Sequence, residues 1–194
     1  NSGIFLKKRK KIYLEDSRYY VEDVRKKIIE TYGFDKVYKQ GFYIKTPLNL
    51  GLQSIATDSL REGLIKYDRR KGWRGVIKNK KITEDWTDDL DKYFLENSIG
   101  WELAIVKKIE KFYIDIETAS NEKGKIQFKE VSWVKKDFDK FLKIGDVIYV
   151  KKLKNNFFSL QQLPIVNGAI LVLDPFTGRV QAMSGGFSFK LSEF

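Results

Sequence analysis

An α+β fold is predicted by three features of this 194-residue sequence. Apolar residues recur at helical spacing in two segments before position 70. The period then changes to two after Trp101, and a hairpin signal follows the apolar run near position 170.

The first helical segment is SRYYVEDVRKKIIETYG, where Val21, Val24, Ile28 and Tyr32 share one face. Asp16 or Ser17 can cap its start, and Gly33 suits the left-handed position that ends a helix. FYIKT, from Phe42 to Thr46, has strand character. A second helix reads from Leu50 to Tyr67, with Asn49 as its N-cap. Its expected buried stripe is Leu52, Ile55, Ala56, Leu60, Leu64 and Tyr67. Next come seven positive charges without an acid, from Arg69 to Lys81. Five carboxylates follow at Glu84, Asp85, Asp88, Asp89 and Asp91. Thr83 is predicted to cap a short helix there, since acids in a first turn favour the helix dipole.

Strands are expected at 101–106, 112–118, 124–134, 146–153 and 157–162, separated by polar or glycine-containing turns. Five short strands suit a small barrel of the OB type, although alternation alone leaves an open sheet standing beside it. The final unit is GAILVLDPFTGRVQAMSGG, in which two apolar strands flank Asp174-Pro175-Phe176-Thr177-Gly178. Ala169 to Leu173 are apolar at consecutive positions, which predicts a strand covered on both faces. An apolar hairpin this near the last residue reads as part of something longer.

Lys and Arg number 37 against 26 for Asp and Glu, a net charge of +11. That excess favours nucleic acid, anionic lipid or an anionic cell-wall polymer without choosing among them. There is no cysteine, which excludes disulfides, a thiolate nucleophile and cysteine-ligated metals. There is no histidine either, which removes histidine-dependent triads and histidine-ligated metals. The longest strongly apolar run, Gly168 to Leu173, falls far short of the roughly 18–20 residues of a membrane span. The N-terminal stretch has basic residues but no apolar region of a signal peptide.

Each candidate site has a plain competitor. Ser132-Trp133-Val134-Lys135 has the S-x-x-K spacing of an activated serine, yet its alternating surroundings predict a strand with the two residues on opposite faces. No K-T-G accompanies it. The basic stretches Lys7 to Lys11 and Arg69 to Lys81, with Trp73 in the second, read first as solvated surface paired with the acids at 84–91. Those acids lack the spacing of a calcium loop. Trp101, Phe112, Tyr113, Phe128, Trp133, Phe138, Phe141, Tyr149, Phe157 and Phe158 could stack on bases or sugars, but a small barrel also needs such residues to fill itself. No catalytic, cofactor-binding or metal-ligating residue emerges.

Two separated blocks resemble one family. LQQLPIVNGA and LDPFTGRVQAMSGGFSF are similar to the start of the transpeptidase domain in class A penicillin-binding proteins, which polymerise and cross-link peptidoglycan. The pattern there, close to Q-x-P-x-V-Q-G-A-L-V-A-L-D-P-x-T-G-x-V-x-A-M-x-G-G, is met at Gln162, Pro164, Val166, Gly168, Ala169, Leu173 to Pro175, Thr177, Gly178, Val180, Ala182, Met183, Gly185 and Gly186. Asn167 stands where Gln is usual. Upstream, YYVEDVRKKIIETYG, GFYIKTPLNLGLQ and YDRRKGWRG resemble the family at Tyr20, Val21, Glu22, Val24, Arg25, Gly41, Tyr43, Thr46, Leu48, Leu52 and Gln53, and on through Tyr67 to Gly75. Asn49 and Leu50 replace Asp-Pro, keeping the cap and losing the N1 proline.

The resemblance implies a non-catalytic region between a glycosyltransferase and a serine transpeptidase. Residues 1–75 would supply a linker helix, a strand and a helix of the transpeptidase base. Residues 76–165 would be an inserted OB-like domain, and 166–194 the hairpin entering the transpeptidase scaffold. Such a region would orient the two catalytic domains in the periplasmic part of an inner-membrane-anchored protein. It would touch those domains, and can dock peptidoglycan strands or an outer-membrane lipoprotein activator. The alternative is an OB-fold domain that binds single-stranded nucleic acid.

Overall fold

The computed structural model describes residues 15–83, 85–134 and 138–192, with the backbone alone for Phe138 and Asp139. A 3-10 turn at Glu15–Ser17 leads into α1 (Arg18–Tyr32), which stops at Gly33 with a φ of 81°. Ser17 holds the N-cap position without a capping bond. A short helix absent from the sequence reading, α2 (Phe34–Gln40), follows. The expected face of α1 is not the buried one. Tyr20 is buried, whereas Val21 and Tyr32 are each 49% exposed. The helix meets the C-terminal hairpin through its first turn, where Tyr20 Oη donates to the Val180 carbonyl at 2.9 Å.

FYIKT is not a strand. Residues 41–49 carry no regular structure, and Tyr43 is 95% exposed. A strand requires a paired edge as well as suitable residues; this segment reaches the hairpin through Asn49, whose N–H donates to the Gln181 carbonyl at 2.9 Å. Asn49 then caps α3 (Leu50–Arg70), its Oδ1 accepting from Leu52 N at 3.1 Å as predicted. The charged run after Thr83 makes turns at 85–89 rather than a helix, and Glu84 lies outside the described residues. Asp89 sits at φ 62°, a left-handed backbone that a helix cannot include. The turns let Trp86 and Leu90 enter the core.

The strands β1 (Lys78–Asn79), β2 (Trp101–Ile109), β3 (Tyr113–Thr118), β4 (Lys123–Gln127), β5 (Asp146–Lys152) and β6 (Phe157–Gln161) form one sheet. Pairing runs β5-β2-β3-β4-β6 and returns from β6 to β5, so five strands close into a barrel. The β4–β6 pairing is parallel and the other pairings are antiparallel. Closure removes the free edges that an open sheet would leave. The fold is therefore α+β with an OB-like barrel, which the alternation of the sequence had left undecided.

One predicted strand is too long. β4 stops at Gln127 because its partner β3 begins at Tyr113, directly opposite. Residues Phe128–Val134 instead form a 3-10 helix, followed by α4 (Phe138–Phe141). Val131, Val134 and Leu142 from this stretch plug the barrel end against Phe158. A second cluster lies outside the barrel, where Leu103, Ile105, Val147 and Tyr149 meet Leu64, Trp86, Leu90 and Phe187. Strands β2 and β5 are thus buried on both faces.

The hairpin β7 (Ile170–Leu173) and β8 (Val180–Ser184) forms a separate antiparallel sheet on α3. Its expected cover on both faces is not found within the described residues, since Leu171 and Leu173 are 52% and 51% exposed. A single helix shields one face of a sheet, and α3 does so here, with Leu60 and Leu64 against Gly168.

Candidate functional site

Helix α3 packs against the hairpin, the turn before α1 and the 128–134 helix, and joins distant segments through polar as well as apolar side chains. Its buried residues are Gln53, Ala56, Thr57, Arg61, Leu64 and Asp68. The predicted stripe is therefore rotated: Ile55 is 63% and Tyr67 43% exposed. Buried polar groups cost several kcal/mol, roughly, unless they are paired, and each of these four polar residues has partners.

Gln53 clamps the hairpin. Its Nε2 donates to the Met183 carbonyl at 3.0 Å and its Oε1 accepts from Met183 N at 2.9 Å, as a strand partner would. The same amide donates to the Asp16 carbonyl at 2.9 Å and to Thr57 Oγ1 at 3.1 Å. Two turns along, Arg61 joins three regions. It donates to the Phe187 carbonyl at 3.0 Å after the hairpin, to Asp16 Oδ1 at 3.2 Å before α1, and to the Ser98 carbonyl at 3.2 Å ahead of the barrel. Glu96 stands 3.9 Å from Arg61 and accepts from Ser188 Oγ at 2.6 Å and Phe189 N at 2.8 Å.

At the C-terminal end of the helix, Asp68 is 1% exposed. Arg74 Nη1 donates to both of its oxygens, at 2.7 and 2.8 Å. Gln162 Nε2 donates to Oδ2 at 2.8 Å, and Ile165 N to Oδ1 at 3.3 Å. The carboxylate thereby ties the chain entering the barrel to the chain leaving it. Beside it, Arg69 reaches Gln161 Oε1 at 2.9 Å and lies 4.9 Å above the Trp133 ring. Burial pulls the Arg69 guanidinium pKa below its usual range, opposed by the charge of Glu130. The N-terminal linker docks by a close approach. A Cβ on Gly186 would lie 2.7 Å from Tyr19 Oη, and one on Gly185 would lie 3.0 Å from the Tyr19 ring.

The sites weighed in the sequence fare differently. Ser132 lies on the 3-10 helix, so the argument from opposite strand faces fails, and Lys135 lies outside the described residues. The stretch Lys7 to Lys11 also lies outside them. In the other basic run, Arg69 and Arg74 are junction residues, and Lys80 donates to the Asp88 carbonyl at 2.7 Å. Trp73 packs on Trp133 and Phe141 against the barrel interior. Of the aromatics in the strand region, Trp101, Tyr149 and Phe158 are buried, while Phe112 is 70% and Phe128 44% exposed. Tyr149 donates to the Tyr93 carbonyl at 2.7 Å, and burial pushes its hydroxyl pKa well above the usual range. Only the backbone of Phe138 is described. Among the described residues no group of three carboxylates could hold a metal, and no helix is long and apolar enough to cross a membrane.

Comparison with known proteins agrees with this architecture. The family "Penicillin-binding protein OB-like domain" matches residues 73–166. The whole chain aligns with penicillin-binding protein 1A of Rickettsia bellii at 36% identity, over 25% of that protein. It aligns with the Pseudomonas aeruginosa protein of that name at 28% identity, covering 91% of this chain and 23% of the other. The crystal structure of penicillin-binding protein 1A from Haemophilus influenzae superposes with a TM-score of 0.77 at 28% identity, covering 91% of this chain and 27% of that one. The chain thus spans about a quarter of the length of the curated relatives it matches. A helix, barrel and hairpin matched along the chain at these identities make it similar to a region of class A penicillin-binding proteins, with residues 73–166 as the OB-like domain.

Proposed function

We propose that this chain is a positional, non-catalytic region of a bifunctional peptidoglycan synthase, holding the polymerising and cross-linking domains at a set distance and orientation. The observation that carries the reading is Arg61, which binds the linker before α1, the loop before the barrel and the chain after the hairpin. Apolar surfaces can slide with little cost, whereas hydrogen bonds demand fixed angles. A seam of directional bonds therefore suits a part whose task is geometry. Because product of the first reaction is substrate for the second, relative placement of the two sites sets how much polymer becomes cross-linked. Residues 1–75, 76–165 and 166–194 form the proposed linker, barrel and hairpin units. The location is the periplasmic side of an inner-membrane-anchored parent, where the outer barrel faces can meet glycan or a lipoprotein activator.

The test is Arg61→Lys, which keeps the charge and loses the planar fork. In the parent protein we expect fewer cross-links per unit of glycan polymerised, with fluorescent penicillin still acylating the transpeptidase. The isolated chain should take no penicillin. Unchanged coupling in the variant, or covalent labelling of the isolated chain that Ser132→Ala abolishes, would defeat the reading.

A further inference from the structure

A groove of about 750 Å³ lies on the outer face of β3 and β4, bounded by the turn between β5 and β6. This volume falls in the usual range for ligand sites, roughly 300–1,000 Å³. The corresponding face of OB barrels takes oligonucleotides or oligosaccharides, so the side chains must decide between them.

They form a ladder of alternating charge. Asp115 stands opposite Lys125, Glu117 opposite Lys123, and Tyr113 opposite Gln127. Lys125 approaches Asp115 at 3.8 Å, and Lys107 on β2 approaches Glu117 at 3.2 Å. Three lysines against two carboxylates leave this face near neutral, although the chain carries +11. A phosphodiester strand needs a continuous positive track and would meet a carboxylate at each step here. Sugar hydroxyls and acetamides both donate and accept hydrogen bonds, and interleaved carboxylates, amides and ammonium groups answer both.

The turn is preformed. Asn155 and Asn156 occupy the left-handed region at φ 56° and 57°, which asparagine tolerates better than most residues. Leu153 N donates to the Phe157 carbonyl at 2.7 Å, and Lys125 N to the Asn156 carbonyl at 3.0 Å. Both asparagines are exposed, so two amide side chains stand at the rim on a backbone whose shape is already set, and binding has only their rotamers to order. Gly124 lines the groove with backbone alone, its missing Cβ facing inward, where it would lie 2.2 Å from the buried Phe158 ring. Phe112, 70% exposed at the Tyr113 end of the same strands, lies outside the groove lining, with Lys111 Nζ 5.4 Å from its ring centroid.

We propose that this groove binds an N-acetylated oligosaccharide, the chemistry of a peptidoglycan glycan strand. The proposal rests on reading the parent as a peptidoglycan synthase. It would let the barrel hold polymer between the two reactions as well as space them.

The test titrates the 194-residue chain with the N-acetylglucosamine tetramer and, separately, with a single-stranded oligonucleotide, read by amide NMR shifts. The expected result is saturable tetramer binding that persists in raised salt, with shifts confined to 112–127 and 153–157. Asp115→Ser and Asn155→Gly, the second keeping the backbone shape, should each weaken it about tenfold, the scale of one lost hydrogen bond to a charged or buried partner. Thermal melts of both variants should stay at the wild-type value. Absence of saturation by the tetramer, shifts elsewhere on the chain, or tighter salt-resistant binding of the oligonucleotide would each overturn the proposal. A negative titration would leave the interdomain reading standing, because that one is decided by cross-linking in the Arg61 variant.

Discussion

The barrel interior and the seam along α3 are both well buried, but they are built on opposite terms. Inside the barrel Ile114, Ile116, Ile126, Val150, Phe158 and Leu160 leave almost nothing to water, and strand pairing satisfies the backbone. Along α3 the buried residues include Gln53, Thr57, Arg61 and Asp68, with partners as far away as Met183. The barrel can be repacked by other hydrophobes of similar volume. The seam tolerates no such exchange, because each polar atom has a named partner in a distant segment. Stability is the task of the first region and registration that of the second.

The sharpest way to break the contrast is Asp68→Ala. It strips Arg74 and Gln162 of their shared acceptor, leaving the buried amide of Gln162 and a guanidinium whose side chain is 29% exposed. Since Arg74 reaches water, the cost sits at the low end of the range of about 3–5 kcal/mol for breaking a buried pair. For a chain of this size that lowers the melting temperature by roughly 10 °C, readable by circular dichroism. Asp68→Asn, which keeps the shape and loses an acceptor, should fall between. A shift of under a degree or two for Asp68→Ala would mean the seam is decoration.

A smaller effect is expected in the barrel from Gly124→Ala. The added methyl would lie 2.2 Å from the Phe158 ring and 2.8 Å from the Asn156 carbonyl. Phe158 is fully buried and cannot swing away, so the cost is about 1–3 kcal/mol of overpacking. Hydrogen exchange should quicken in β4 and β6 while the amides of Ile165 and Met183, held by the seam, stay protected. Equal loosening in both places would show that barrel and seam unfold as one unit.

The two regions were also unequally legible in the sequence. Alternation placed β2, β3, β5 and β6 within a few residues, because a strand buried on one or both faces leaves its period in the chain. It overran at β4, where the end is set by the start of β3 rather than by residue type. The seam escapes the sequence because hydropathy counts Gln53, Arg61 and Asp68 as solvent-facing, so the expected stripe of α3 holds at Ala56, Leu60 and Leu64 and fails at Ile55 and Tyr67. A signal did exist. Tyr20, Gln53, Asp68, Gln162, Gly185 and Gly186 all fall in the blocks that resemble the family, and in the structure all six are junction residues. Polar letters inside otherwise apolar matched blocks were marking contacts between segments. The apolar run at 169–173 implies two covers, of which α3 supplies one among the described residues.

The smallest predicted effect concerns the hairpin turn, which belongs to neither region and so tests whether a local device can act alone. Asp174 Oδ1 accepts from Thr177 N and Phe176 N, each at 2.9 Å, and Gly178 completes the turn at φ 68°. Those backbone donors, Thr177 first and Phe176 next, hold the Asp174 pKa below the ordinary aspartate range. The folded turn therefore favours the charged carboxylate. Its contribution is fully present above the unfolded pKa and is lost as pH falls through the lowered folded value. Amide exchange at Phe176 and Thr177 should quicken only below the ordinary carboxylate range, while the Met183 amide, which donates to Gln53 Oε1, stays protected. Asp174→Ala should remove that pH dependence and leave the global melt nearly unchanged. If acid instead released the turn and the seam together, the hairpin would be coupled to α3 more tightly than the exposed side chains of its turn suggest.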